Sequence, residues 1–371
     1  MKNILIIFDS RATFAYSNNV LQKIKKYKNI KISTLVTGNY LDKSMGVNLD
    51  LFKKFKIKIT KKVKFLSSKS KRYTWPMNLG KAITSFSREI DKINPDLVLL
   101  TGDRIETFAA CITSTYLNIP IAHIQAGDKS GHVDDIARAA IAKMAHIHFA
   151  SCKDSADRLI SWGEEKKRIF NVGAPQLDDI QFFLSKKKKI QNKKKKIIVI
   201  FHPVLGQKEK FTKYIKNLYL VLSRFNFEYY WIYPNNDYGF RVITNFLKKE
   251  KVTNKIKLIK NLDRDLFLNL MFESVAIVGN SSCGIIEAPS FKIPVLNIGD
   301  RQNLRPQASN IVNSDYSVQQ ITKNFSFILN NKKFLRKLKK TRNLYFKKNS
   351  SDKICKIINK LNLKDNMFKK F

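Results

Sequence analysis

Residues 96–149, DLVLLTGDRIETFAACITSTYLNIPIAHIQAGDKSGHVDDIARAAIAKMAHIHF, decide the fold class. Leu97–Leu100 is a short, uninterrupted apolar run, the pattern of a strand buried on both faces. It ends in Thr101-Gly102-Asp103-Arg104, and a helical stretch, Ile105–Leu117, follows. Pro120–Ile124 reads as a second strand with a polar turn after it, Gln125-Ala126-Gly127-Asp128, and the pair Asp134-Asp135 opens another helix. This alternation predicts a parallel sheet with right-handed crossovers. Ligands of open α/β sheets sit beyond the carboxyl ends of the strands. Two consecutive strands therefore deliver Asp103 and Asp128 to that edge, with Asp134 close behind.

The same pattern extends in both directions. Lys2–Phe8 and Ile30–Val36 read as strands flanking a helix over about Phe14–Lys26. Arg11 falls between a strand end and a helix start, where a phosphate-binding group sits. Lys53–Arg72 has lysines alternating with Phe55, Ile57, Ile59, Val63 and Phe65, which predicts an outer strand with a lysine-studded solvent face. Gly80–Ile93 reads as a helix, and Asn171–Pro175 as a loop at a strand end. After the charge run Lys186–Lys196 the pattern restarts, with strands at Ile197–Phe201, Tyr229–Tyr233, Ile256–Leu258, Val275–Val278 and Val295–Asn297. The expected class is α/β: two doubly wound Rossmann-like domains facing a cleft. The expected division is a first domain over 1–185, a basic linker over 186–196, a second domain over 197–345 and a basic helical tail over 346–371.

The chain's 371 residues are 44% hydrophobic, enough for two ordinary domains. Four dispersed cysteines predict reduced thiols in a cytoplasmic protein, not a disulfide frame or a zinc site. No apolar run is long enough to span a membrane, and Ile4–Phe8 is too short for a signal peptide. The net charge of +41 raises nucleic-acid binding. Against it, lysine far outnumbers arginine and is spread over most elements, and residues 96–149 are nearly neutral. No specific nucleic-acid partner is expected.

Three groups of residues carry chemistry. Asp103, Asp128 and Asp134 gather carboxylates at one edge, which raises their pKa values and suits acid/base work, although caps on the following helices need the same residues. Asn280-Ser281-Ser282-Cys283-Gly284 leaves backbone N–H groups for a phosphate ahead of a helix, and Glu287 lies one turn on, within reach of a ribose. His202 ends a strand of the second half. His123, His146 and His148 sit in or beside apolar segments and read as packing residues, and no spacing suggests a metal.

Several segments together resemble the UDP-N-acetylglucosamine 2-epimerases, in particular the hydrolysing branch that feeds sialic and legionaminic acid synthesis. They are Thr101–Arg104, Asn118–Gln125, Asp134-Asp135 with Arg138 and Lys143, Phe170–Pro175, Tyr233–Asn235 with Asp237 and Gly239, and Gly279–Asn297 with Gly299 and Arg301-Gln302. The resemblance implies the two-domain fold of B-type glycosyltransferases, no cofactor, no obligatory metal, and a homodimer or homotetramer. It implies UDP held by the second domain through Ser281, Ser282, Gly284, Glu287 and Arg301, with Arg11 and Arg104 closing on the diphosphate. It also places Asp103, Asp134 and His202 at catalytic positions. A carboxylate would remove the C2 proton as UDP leaves C1, and an acid on the opposite face would return a proton to C2.

Two departures stand out. Gln125 occupies a position where many relatives have glutamate, so Asp128 is the candidate for that role; Ala139 follows Arg138 where histidine is usual, and His132 lies nearby. The alternatives are a non-hydrolysing epimerase, against which His202-Pro203 replaces that branch's His-Arg-Arg-Glu, a UDP-sugar glycosyltransferase, and a non-catalytic UDP-sugar binder.

Overall fold

The computed structural model describes residues 1–42, 49–66, 73–131, 134–187, 195–204, 210–235, 239–249, 256–363 and 369. His132, Asp237 and most of the 186–196 charge run lie outside the described residues. The chain divides into two compact units. The first holds Met1–Lys129, Val133–Asp179 and Tyr345–Phe371; the second holds Ser130–His132 and Ile180–Leu344.

The first unit is built on strands β1 (Lys2–Phe8), β2 (Ile30–Thr37), β3 (Lys61–Val63), β4 (Leu97–Thr101), β5 (Ile121–Ala126), β6 (Ile147–Ala150) and β7 (Ile169–Asn171). They form one parallel sheet in the order β3-β2-β1-β4-β5-β6-β7. Alternate residues of β1 feed both faces: Ile4, Ile6 and Phe8 lie in one buried cluster, Leu5 and Ile7 in another. Burial on both faces is why these strands read as unbroken apolar runs, and each such side chain contributes roughly 1.5–3 kcal/mol. The chain winds outward from β1 to β3 and returns to β4 on the other side of β1. Strand order therefore reverses between β1 and β4, the switch point where crevices open in this fold.

The second unit repeats the plan with β8 (Lys196–Ile200), β9 (Glu228–Ile232), β10 (Ile256–Ile259), β11 (Ala276–Gly279), β12 (Val295–Ile298) and β13 (Ile311–Ser314). The order is β10-β9-β8-β11-β12-β13, again all parallel, with the reversal between β8 and β11. Trp231, Tyr229 and Ile197 pack with Leu218 and Leu222 of helix Phe211–Ser223 and with Phe325 of helix Val318–Asn330.

The expected α/β class with two doubly wound sheets holds, but several local expectations change. Lys53–Arg72 is not a continuous strand. Helix Asp50–Lys54 buries Phe52, and only Lys61–Val63 pairs, at the sheet edge, while residues 67–72 lie outside the described residues. The Phe52/Phe55 spacing follows a helical face, and the later alternation sustains one short edge pairing. Gln125-Ala126 does not form a turn but completes β5. Arg11 is not in a loop: it is the first residue of helix Arg11–Ile24, because Ser10 and Thr13 form a reciprocal capping box. The segment expected as a tail joins the first unit: Ile354, Cys355 and Ile358 of helix Ser350–Lys360 form an apolar stripe buried with Val20, Leu21 and Ile24. Lys196, assigned to the linker, opens β8.

Candidate active site

In the first unit the polar residues collect at the carboxyl ends of β1, β4 and β5. Asp9 follows β1 and is 1% exposed. The Thr13 hydroxyl lies 3.0 Å from its Oδ1, and Arg104 Nε lies 3.8 Å from the same atom. Burial pushes the Asp9 carboxyl above its ordinary range, against the pull of Arg104 and the Ser10 and Thr13 hydrogen bonds. Arg104 Nε also donates to Glu106 Oε2 at 3.3 Å, and Glu106 is fully buried. Gly38, at φ +58°, makes room for that acid: a Cβ there would lie 2.5 Å from Glu106 Oε1. Arg104 is thus set between two buried carboxylates.

Asp103 pairs with Arg138 Nη2, and Arg138 Nη1 donates to Asp135. Helix Asp134–Met144 therefore brings Arg138 to the β4 turn, with Asp134 half-buried in its first turn. Asp103 does not cap the helix Ile105–Tyr116, whose N-cap is Arg104 with no side-chain cap bond. His123 on β5 lies with Nε2 2.7 Å from the Gly102 carbonyl. Burial lowers its pKa to about 4, so the ring is neutral near pH 7 and donates from Nε2. It holds the turn that carries Asp103, more than the packing role its apolar strand suggested.

Gln125 adopts φ +64° where the β5/β6 register shifts, and is 7% exposed. Its Nε2 is buried with no hydrogen-bond partner among the described residues. A left-handed backbone at a non-glycine residue costs about 1–3 kcal/mol, and a buried unpaired donor about as much again. Asp128 is 2% exposed; its Oδ1 accepts from the hydroxyls of Ser151 and Ser155, the latter at 2.8 Å. This ties the segment after β5 to the first turn of helix Lys153–Ser161.

In the second unit the ends of β8 and β11 are laced together. Asn280, fully buried, accepts from the His202 N–H through Oδ1 at 2.7 Å and donates from Nδ2 to the His202 carbonyl at 2.9 Å. His202 Nδ1 accepts from the Asn235 N–H at 3.4 Å, which leaves Nε2 as the proton-bearing nitrogen of the neutral ring. Gly279, at φ +135°, cannot be replaced: a Cβ would lie 1.9 Å from the Ile200 carbonyl oxygen. Arg301 Nη1 donates to the Asn280 carbonyl at 3.0 Å, joining the end of β12 to the same place.

Ser281 caps the short helix Ser282–Ile286, with no side-chain cap bond. Gly284 lets that helix approach β12, since a Cβ there would lie 2.9 Å from Val295 Cγ1. Burial, then the Glu287 charge, push the Cys283 thiol up to about 12, so it is no nucleophile. Glu287 ends this short helix and is 6% exposed; its Oε1 accepts from Arg264 Nη1 at 3.0 Å. Arg264 thereby orients the carboxylate that the sequence places within reach of a ribose.

The structure thus groups Asp103, Arg104, Arg138 and Gln125 around the carboxyl ends of β4 and β5 in the first unit, and His202 and Arg301 about Asn280 in the second. Asp9, Glu106 and Arg264 were not among the candidate residues, and Asn280 entered only as the first residue of the Asn280–Gly284 loop. Asp9 and Asn280 sit directly after strands whose ends were readable, which was the available signal; nothing local marks Arg264. Among the described residues no group of three or more His, Cys, Asp or Glu side chains could hold a metal ion, and no helix is long and apolar enough to cross a membrane.

Two parallel sheets, each with its order reversed at a polar switch point, make this an α/β protein of the B-type glycosyltransferase fold. The crystal structure of UDP-GlcNAc 2-epimerase from Neisseria meningitidis bound to UDP-GlcNAc matches it with a TM-score of 0.81 and 23% identity, covering 97% of this chain and 100% of that one. The model of the UDP-N-acetylglucosamine 2-epimerase family matches residues 22–359, and the chain belongs to that family. It is similar to a hydrolysing UDP-N,N'-diacetylbacillosamine 2-epimerase of Legionella pneumophila, 30% identical and covering 90% of each chain. It is also similar to a hydrolysing GDP/UDP-N,N'-diacetylbacillosamine 2-epimerase of Campylobacter jejuni, 31% identical over 85% of this chain and 84% of that one. The chain is accordingly an enzyme of the 2-epimerase kind.

Proposed function

We infer that this enzyme is a hydrolysing epimerase that converts a UDP-2-acetamido sugar, UDP-N,N'-diacetylbacillosamine or UDP-N-acetylglucosamine, into UDP and the free 2-epimeric sugar. The observation that carries this reading is the similarity, over most of the chain, to two relatives whose names specify the hydrolysing reaction. Asp103 takes the proton from C2 while the bond from C1 to the UDP oxygen breaks, leaving a glycal and UDP. Arg11, Arg104, Arg301 and the backbone N–H groups of Ser281, Ser282 and Gly284 take up the charge on the departing diphosphate. Arg138, paired with Asp103, orients that carboxylate toward C2. Asp134 returns a proton to C2 from the opposite face as water adds at C1, Asp128 supports that side of the site, and His202 donates from Nε2 to UDP. Glu287, oriented by Arg264, accepts from the ribose, and Gln125 faces the sugar. No cofactor takes part in this chemistry. The product suits a cytoplasmic route to sialic or legionaminic acid, and the working form is a homodimer or homotetramer.

The test is incubation of the purified protein with each sugar nucleotide in deuterated water, followed by NMR. UDP release with deuterium at C2 of a free sugar of inverted configuration supports the reading and picks the substrate. Exchange with UDP still attached points to the non-hydrolysing reaction instead. No exchange and no release with either sugar refutes it.

A further inference from the structure

Gln125 holds two unfavourable features at once. Its backbone is left-handed in the last turn of a central strand, and its Nε2 is buried without a partner among the described residues. Neither helps the fold. The side chain also lies close to the reacting end of the first unit: a Cβ built on Gly102, the residue before Asp103, would sit 3.8 Å from Gln125 Oε1. A carboxamide donor fixed beside a catalytic carboxylate, and left without an acceptor, is a preorganised contact for an oxygen that arrives with the substrate.

We propose that Gln125 is the specificity residue for the acetamido group on C2 of the sugar, its Nε2 donating to the acetamido carbonyl oxygen. The proposal rests on the reading of the chain as an epimerase of 2-acetamido sugars and adds to it the residue that recognises the group. C2 is the carbon whose proton Asp103 takes, and the acetamido carbonyl is attached to C2 through one nitrogen. A donor beside the Asp103 turn therefore meets that oxygen sooner than it meets the diphosphate or the uracil. The chemistry of the side chain agrees. Gln125 offers an N–H to the acetamido carbonyl, where the ionised glutamate of many relatives can only accept. The amide carries no exchangeable acid function, so Gln125 binds and does not transfer protons.

The test uses Gln125→Asn, which tolerates a left-handed backbone but retracts the amide by one methylene, and Gln125→Glu, which keeps the length and reverses the polarity. Thermal unfolding first establishes that each variant is folded. Inhibition by UDP-glucose, which lacks the acetamido group, is then compared with the KM of UDP-N-acetylglucosamine and UDP-N,N'-diacetylbacillosamine. Wild-type enzyme is expected to favour the acetamido sugars by about ten- to a hundredfold, and both folded variants to lose most of that preference while UDP binds within about twofold of wild type. Retention of the preference in both variants, or a Gln125→Glu enzyme faster than wild type, overturns the proposal while leaving the epimerase reading intact. A wild-type enzyme that turns over neither acetamido sugar overturns both.

Discussion

Replacing Asn280 by alanine tests whether the second site is held together as described. The Asn280 side chain satisfies both backbone groups of His202, at 2.7 Å to its N–H and 2.9 Å to its carbonyl. Alanine removes both bonds where Asn280 is fully buried and His202 is 7% exposed. Each lost bond to a buried group costs about 1–3 kcal/mol, so a loss of about 2–6 kcal/mol is expected. With a urea m-value of about 2 kcal/mol/M, the midpoint of the second unit falls by about 1–3 M. Trp231, fully buried on β9, reports that unit once Trp75 and Trp162 of the first unit are changed to phenylalanine. Asn280→Asp sharpens the test. It keeps the acceptor but turns an oxygen toward the His202 carbonyl, so its folded pKa rises above the unfolded value of about 3.9. A raised carboxyl pKa makes the penalty absent below about pH 4 and progressively larger as pH rises toward the folded pKa. The aspartate variant is therefore expected to lose more stability at pH 8 than at pH 4, measured against wild type. An alanine variant within about 0.5 kcal/mol of wild type, or an aspartate penalty that does not change with pH, refutes the reasoning.

Three further outcomes follow from other contacts. Arg264→Met removes the arginine that orients the buried Glu287 carboxylate, and UDP affinity is expected to fall about tenfold by calorimetry, with partial recovery in Arg264→Lys; an unchanged Kd removes Arg264 from the site. Asp103→Asn should slow deuterium incorporation at C2 by about 10²–10⁴-fold in the NMR assay, since an amide cannot take the proton, and a smaller loss shifts the base elsewhere. Glu164 is the pH-sensitive element of the first unit: burial alone would raise its pKa, but hydrogen bonds from His148 and Lys369 prevail and hold it at about 2. Its stabilisation is full above the unfolded pKa of about 4.5 and disappears as pH falls toward 2, worth about 2 kcal/mol after allowance for solvent screening. Glu164→Gln should flatten acid denaturation over that window, and an unaltered acid limb in the variant would count against the pairing.

What could be read in advance, and what could not, divides along a physical line. Parallel strands buried on both faces have no choice but to be apolar, so β4 and β8 are visible as apolar runs ending in polar turns, and the residues just past them, Asp103 and His202, are found by counting. The β5 end is less readable because Gln125 is paired in the strand while its backbone leaves the strand region, which no pattern of apolar residues encodes. Lys53–Arg72 misleads because phenylalanines alternating with lysines suit a strand edge and the short helix at Asp50–Lys54 equally well, and packing of Phe52 against Phe8 and Phe14 decides. The partners of the site residues are the hardest to see. Arg264 and Glu287 are 23 positions apart, Asn280 and His202 are 78 apart, and each pair exists only because the sheet order reverses and carries β8 beside β11 or because helices return to the same edge. A charged residue in a loop has no local mark that says which buried carboxylate will need it. The strands locate the site in sequence, but the groups that set its charge come from elements whose neighbours only the fold determines.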